Sequence, residues 1–249
     1  MKVKELCFSL AKAGGTPGDE LEARNVAEGY LSKYMTIHTD RLGSLVGTVG
    51  NGNFKILLDA HIDRIGLIVR GIDEKGFLLV SAAGGVDARV LVGAKVTVHG
   101  KRPLLGIVCS TPPHLVTKED QEKGVEVKSL SVDIGLSKQE AQKAVSIGDR
   151  ITVASEQLTL LGNRIASPAL DDRCGAAALI LAVEAVHDKL KNCKVMIQLS
   201  SQEEVGGSGA RAAAYTADSD VAIAVDVGFG LDPHCDKTEA NELSKGPSI

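Results

Sequence analysis

Tryptophan is absent from the 249 residues, and the aromatics together make up only 3%. Stacking platforms for bases or sugars are built from such rings, so their scarcity counts against single-stranded nucleic acid or carbohydrate as the ligand. An excess of positive charge is missing too. The formal net charge is −4, which leaves no basic footprint for nucleic acid or an anionic membrane surface. No apolar run reaches the length of a bilayer span, and the opening Met1-Lys2-Val3-Lys4-Glu5 lacks the apolar core of a signal peptide. The expectation is a soluble, cytoplasmic protein with no membrane or nucleic-acid partner, acting on a small substrate. Five cysteines (Cys7, Cys109, Cys174, Cys193 and Cys235) are scattered singly with no CxxC pair, which excludes a disulfide framework and a thiolate zinc site.

What is present is enough apolar material, 44% of the residues, to bury a substantial core. Helical patterns are expected over about Val3 to Ala13 and from about Asp19 to Met35, the second opening on an Asp19-Glu20 pair that suits a helix N-terminus. Extended chain follows over Thr36 to Val49, then a dense apolar run from Phe54 to Asp59 with the marks of a strand covered on both faces. From Leu67 to Val153 the character changes to short Val- and Leu-rich strands broken by Gly, Pro and Asp, with one short helical pattern at Ser137 to Val145. From Asn163 onward strand and helix alternate: a helix at Cys174 to Lys191, a strand at Lys194 to Ser200, a helix at Gly206 to Tyr215 and a strand at Val221 to Asp226. That rhythm predicts an α/β fold with a doubly wound, mostly parallel sheet. The catalytic domain then comprises residues 1–66 and 154–249, with a small β-rich domain, 67–153, inserted between them.

Four places put acids or a histidine just beyond an apolar strand: His61 and Asp63, Asp171 and Asp172, Glu203 and Glu204, and Asp226. In an open α/β sheet ligands bind outside the carboxyl ends of the strands, so these residues are candidates for one shared pocket. Carboxylates crowded without a cation repel one another and protonate, whereas divalent ions turn the crowding into binding. One imidazole with several carboxylates and no thiolate suits zinc, cobalt or manganese. Other motifs read as structural. His99, His114 and His187 have the setting of surface or packing residues, and Gly206-Gly207-Ser208-Gly209 lacks the Lys-Ser/Thr ending of a phosphate loop and reads as a close-packed helix start. Ser200 and Ser201 lack the Gly-x-Ser-x-Gly elbow of a serine hydrolase.

At the acidic phrases the sequence resembles the M42 metallo-aminopeptidases. The matching stretches are Asp59-Ala60-His61-Ile62-Asp63-Arg64-Ile65-Gly66, Ala169-Leu170-Asp171-Asp172-Arg173, Gln202-Glu203-Glu204-Val205-Gly206 and Val225-Asp226-Val227-Gly228. Between them stand Gly84-Gly85-Val86-Asp87, Pro112-Pro113-His114-Leu115, Asp133-Ile134-Gly135 and Gly148-Asp149. The resemblance implies two divalent metal ions: His61 and Asp226 on the first, Glu204 on the second and Asp171 bridging both. It further implies Glu203 as general base, Asp63 orienting His61, and a cis peptide between Asp171 and Asp172. The implied reaction is hydrolysis of N-terminal residues from peptide substrates by water made acidic between the ions. Homo-oligomers, from a dimer made by the inserted domain to a dodecamer, are implied as well. In the family the chain runs on past a phrase like Lys245-Gly246-Pro247 to a final histidine ligand, so a sequence ending at Ile249 is expected to be part of a longer protein; His234 is expected at the surface instead of in that role. The alternatives are a related two-metal deacylase or carboxypeptidase, and a catalytically silent assembly subunit.

Overall fold

The computed structural model describes residues 2–112, 124–154, 156–231, 233 and 241–248, so the expectations for His114, His234 and Cys235 lie outside the described residues. Two helices open the chain, α1 (Val3–Lys12) and α2 (Leu21–Leu31). Leu6, Cys7, Leu10 and Ala11 recur at helical spacing along α1 and all are buried, so one apolar stripe seats the helix on the core. The second helix begins later than Asp19 because Glu20 turns inward. Its buried carboxylate accepts hydrogen bonds from the backbone N–H of Gly18 (2.7 Å) and of Gln202 (3.2 Å). An acid that reads as a helix-start charge is therefore a clamp between the first turn and the loop carrying Glu203 and Glu204.

Strands β1 (Thr36–Thr39), β2 (Leu45–Val49) and β3 (Phe54–His61) follow. Next come β4 (Gly66–Ile72), β5 (Leu78–Ala83), β6 (Lys95–His99), β7 (Pro103–Cys109), β8 (Ser131–Asp133), the helix α3 (Lys138–Ala144) and β9 (Arg150–Val153). These six strands close into a barrel in the order β4-β5-β8-β7-β6-β9, every pairing antiparallel. Alternate residues such as Leu67 and Val69, Leu78 and Val80, and Val96 and Val98 point inward, giving the barrel its own core.

A short hairpin of β10 (Leu158–Leu160) and β11 (Arg164–Ala166) leads into α4 (Leu170–Val186), β12 (Cys193–Ser200), α5 (Ser208–Thr216) and β13 (Val221–Ala224). The main sheet takes strands from both sides of the barrel, in the order β1-β2-β12-β3-β13. It is mixed and not mostly parallel as expected: β12 and β13 flank β3 in parallel, but the β1–β2 hairpin joins β12 by an antiparallel contact. A tight hairpin can only make antiparallel neighbours, and residues 36–49 leave no room for a crossover. Helices α1, α2 and α4 cover one face, while α5 packs on Leu57 and Met196 on the other. Gly209 lets α5 approach closely, since a Cβ there would lie 2.5 Å from the Ser201 carbonyl oxygen. No described helix is long and apolar enough to cross a membrane.

Register is what matters for chemistry. Ser200 pairs with His61, and Ala224 pairs with Asp59, so β12, β3 and β13 end at one level. The residues that follow these strands leave the sheet along the same edge.

Candidate metal centre

His61 is the last residue of β3 and is almost fully buried. Its Nε2 lies 2.9 Å from Asp171 Oδ1 and 3.9 Å from Asp226 Oδ1, and the three donor atoms all fall within 4.8 Å of one another. The other ring nitrogen is held from behind: Nδ1 lies 3.1 Å from the backbone carbonyl of Asp63 and 3.5 Å from its Oδ1. An imidazole that donates through Nδ1 presents the Nε2 lone pair outward, the arrangement that a metal ligand needs.

The carboxylate of Asp63 does more than face the ring. Fully buried, it accepts the backbone N–H of Glu203 at Oδ1 (3.0 Å) and that of Glu204 at Oδ2 (3.1 Å). The turn after β12, where Gln202 takes a positive φ of 59°, is thus tied to the end of β3. Glu203 and Glu204 are both half-buried beside the cluster, with Glu204 outside the close trio of His61, Asp171 and Asp226.

Contrary to the expectation that they stand just beyond an apolar strand, Asp171 and Asp172 do not follow a strand of the main sheet. They open α4 after the β10–β11 hairpin, joined by a cis peptide and preceded by Ala169 in the left-handed region (φ 61°). The irregular start sends the two side chains different ways. Asp171 is exposed toward His61, whereas Asp172 is fully buried; its Oδ1 accepts the Gly175 N–H at 3.1 Å and its Oδ2 has no partner among the described residues. A Cβ at position 175 would lie 2.2 Å from Asp172 Oδ2, so this contact requires glycine.

The family model described as M42 glutamyl aminopeptidase matches residues 43–249, the stretch that contains all of these side chains. The chain belongs to the M42 peptidase family. It is similar to a lysyl aminopeptidase of Pyrococcus furiosus, 36% identical over 98% of this chain and 71% of the relative. Among solved structures it is similar to a TET aminopeptidase from a marine sediment archaeon of the Thaumarchaeota, with a TM-score of 0.92 and 33% identity over 98% of this chain and 71% of the other. The TET1 peptidase of Pyrococcus horikoshii, which can assemble into a tetrahedron or a large octahedral shell, is 32% identical with a TM-score of 0.85, over 93% of this chain and 71% of that one. M42 members are peptide hydrolases and metallopeptidases, and this chain has their mixed α/β fold.

The electrostatics of this M42 site fit a cation. Burial, then the neighbouring Asp226, pushes Asp172 up to about 8. Burial, then Asp171, pushes Glu204 up to about 7. Burial pulls the His61 ring down, but its hydrogen bonds to Asp63 and Asp171 and the charges of Asp63 and Asp172 prevail and push it up to about 10. Each carboxylate makes its neighbours harder to ionise, and the one imidazole is asked to supply the missing positive charge. A divalent ion among the same donors would remove that conflict, and a set of imidazole and carboxylate oxygens without thiolate suits zinc, cobalt or manganese.

Two acids of the site carry roles that sequence reasoning did not assign. Asp172 stood out only as the partner of Asp171. Asp59 is raised by burial, accepts a hydrogen bond from the Ser200 hydroxyl, and is close enough to His61, Asp226 and Glu203 to feel their charges. Strand alternation was the available signal: Asp59 and His61 are two residues apart and share a face.

Proposed function

We propose that this chain carries the catalytic machinery of a metal-dependent aminopeptidase that removes N-terminal residues from peptides, using two divalent ions. The observation that carries it is the convergence of His61, Asp171 and Asp226, from three distant segments, on one point at the end of the main sheet. His61 and Asp226 would hold the first ion, Asp171 would bridge, and Glu204, whose charge already feels Asp171, would hold the second. When bound, the ions supply the Lewis acidity that makes water acidic and the peptide carbonyl electrophilic.

The protein's own groups do the rest. Asp63 fixes the His61 ring and, through the N–H groups of Glu203 and Glu204, the position of both glutamates. Glu203 is the general base: its carboxylate makes no hydrogen bond to the described residues, so it is free to take a proton from the attacking water. The same carboxyl then returns the proton to the departing amine as the C–N bond breaks. The division between the adjacent glutamates, one committed to a cation and one free, follows from the lone pairs each has left.

The barrel, residues 67–153, is proposed as a separate dimerisation domain inserted in the catalytic domain of residues 1–66 and 154–249, and homo-oligomers are proposed to form through it. Exposed Val90, Val92, Leu105 and Ile107 on the barrel support this reading, since apolar side chains left in water mark contact surfaces. The test is metal content together with release of N-terminal residues from aminoacyl-anilides. Turnover that a chelator abolishes and zinc, cobalt or manganese restores is the expected result. A folded protein that binds metal and releases nothing is a silent assembly subunit.

A further inference from the structure

The seam between the sheet unit and the barrel holds a half-open cavity of about 650 Å³, within the range of small-molecule sites, whose lining includes none of His61, Asp171 and Asp226. A smaller one of about 190 Å³ shares Gly14, Glu22, His99 and Thr152 with it. Arg64 lines the larger cavity at 7% exposure, and its guanidinium makes no hydrogen bond or ion pair with the described residues. Arg173, fully buried nearby, also leaves Nε and Nη2 without partners. A buried guanidinium without a partner is costly, and water alone is a poor answer for a fork of donors shaped to take a carboxylate in two parallel hydrogen bonds.

The remaining charged lining residues narrow the ligand. Glu22 and Glu156 are exposed on the same cavity, along with Lys12. Two acids oppose a multiply charged anion such as phosphate, but they favour a cationic amine carried by the same molecule. The other polar wall is the barrel's, where the His99 ring and the Thr152 hydroxyl hydrogen-bond at 2.8 Å. We propose that the seam cavity binds a small zwitterion of the free amino-acid class, its carboxylate on the Arg64 guanidinium and its ammonium toward Glu22 and Glu156. Binding there requires neither metal nor peptide hydrolysis, because none of these groups belongs to the His61 cluster.

The experiment is calorimetric titration of the protein with a panel of free α-amino acids, with acetate and inorganic phosphate as comparators. Saturable binding of an amino acid, tighter than either comparator, is expected. Charge-assisted hydrogen bonds of this kind imply a loss of about tenfold or more in affinity in Arg64→Gln. Thr97→Tyr, which enters the cavity from the barrel wall, should weaken binding equally, so the result does not hang on the folding of one variant. His61→Ala should leave it intact. Absence of saturable amino-acid binding overturns the proposal, as does tighter binding of phosphate. Loss in His61→Ala with retention in Thr97→Tyr also overturns it, by placing the ligand at the metal cluster.

Discussion

The barrel and the main sheet solve the same problem, the burial of apolar strands, in opposite ways. In the barrel every strand has two neighbours, Val96 and Val98 are sealed, and the core cluster is wholly apolar. The main sheet ends in β13, which pairs only with β3 among the described residues and whose Val221 and Ile223 stand 41% and 49% exposed. It also collects buried acids along one edge: Asp63, just past β3, and Asp172, at the start of α4, are without solvent contact. A closed barrel removes edges and maximises packing. An open sheet keeps strand ends where loops can converge, and accepts electrostatic conflict there. The difference teaches where chemistry resides in this chain: both regions bury an apolar core of their own, but only the main sheet gathers acids and an imidazole, along one edge.

Four changes would break or sharpen that contrast. The largest effect is expected from Glu203→Gln, which should lower kcat by about 10²- to 10⁴-fold while thermal stability and metal content hold. An unchanged kcat would remove Glu203 from the base role. In the barrel, Leu78→Ala should cost about 2–5 kcal/mol in chemical denaturation, with activity per folded molecule retained. If kcat fell in step with stability, the two regions would not be separable.

Asp63→Asn sits between the two, since it weakens the hold on His61 and on the glutamate turn without opening a cavity. Chelator competition should show metal affinity lower by about 10- to 100-fold. The smallest effect is expected from Glu20→Gln. Burial raises the Glu20 carboxyl above its ordinary 4.5, so between that value and its folded pKa the native state holds more protons than the unfolded one. Stability from this group is therefore present below about pH 4.5 and declines as pH rises through that window. The glutamine should flatten this slope in urea midpoints measured across the window, and an unaltered slope would show that Glu20 is not its source.

Much of this contrast could be read in advance from particular residues. The run of short Val- and Leu-rich strands read over Leu67 to Val153 coincides with the six strands of the barrel, from Gly66 to Val153. The phrases around His61, Asp171 and Asp226 marked residues that the fold brings together. Other features could not be read, because they depend on partners far away in the chain. Glu20 looks like a helix-start acid until Gln202, 182 residues on, supplies its hydrogen bond. Asp172 looks equivalent to Asp171 until the irregular opening of α4 buries one and exposes the other. Arg64 looks like one more surface charge in the phrase after His61.

By itself, the order of residues determined which segments become strands and helices, because spacing two or near four places apolar side chains on one face whatever the partner. It determined, too, that one imidazole closes an apolar strand and that Asp63, Glu203, Glu204 and Asp226 follow such strands. Only the tertiary structure decided that Ser200 and Ala224 align with the end of β3, that Asp63 spends its carboxylate on the glutamate turn, and that Arg64 lines a cavity without an ion-pair partner among the described residues. Register and burial are properties of contacts between distant segments, and charges acquire their meaning from those contacts.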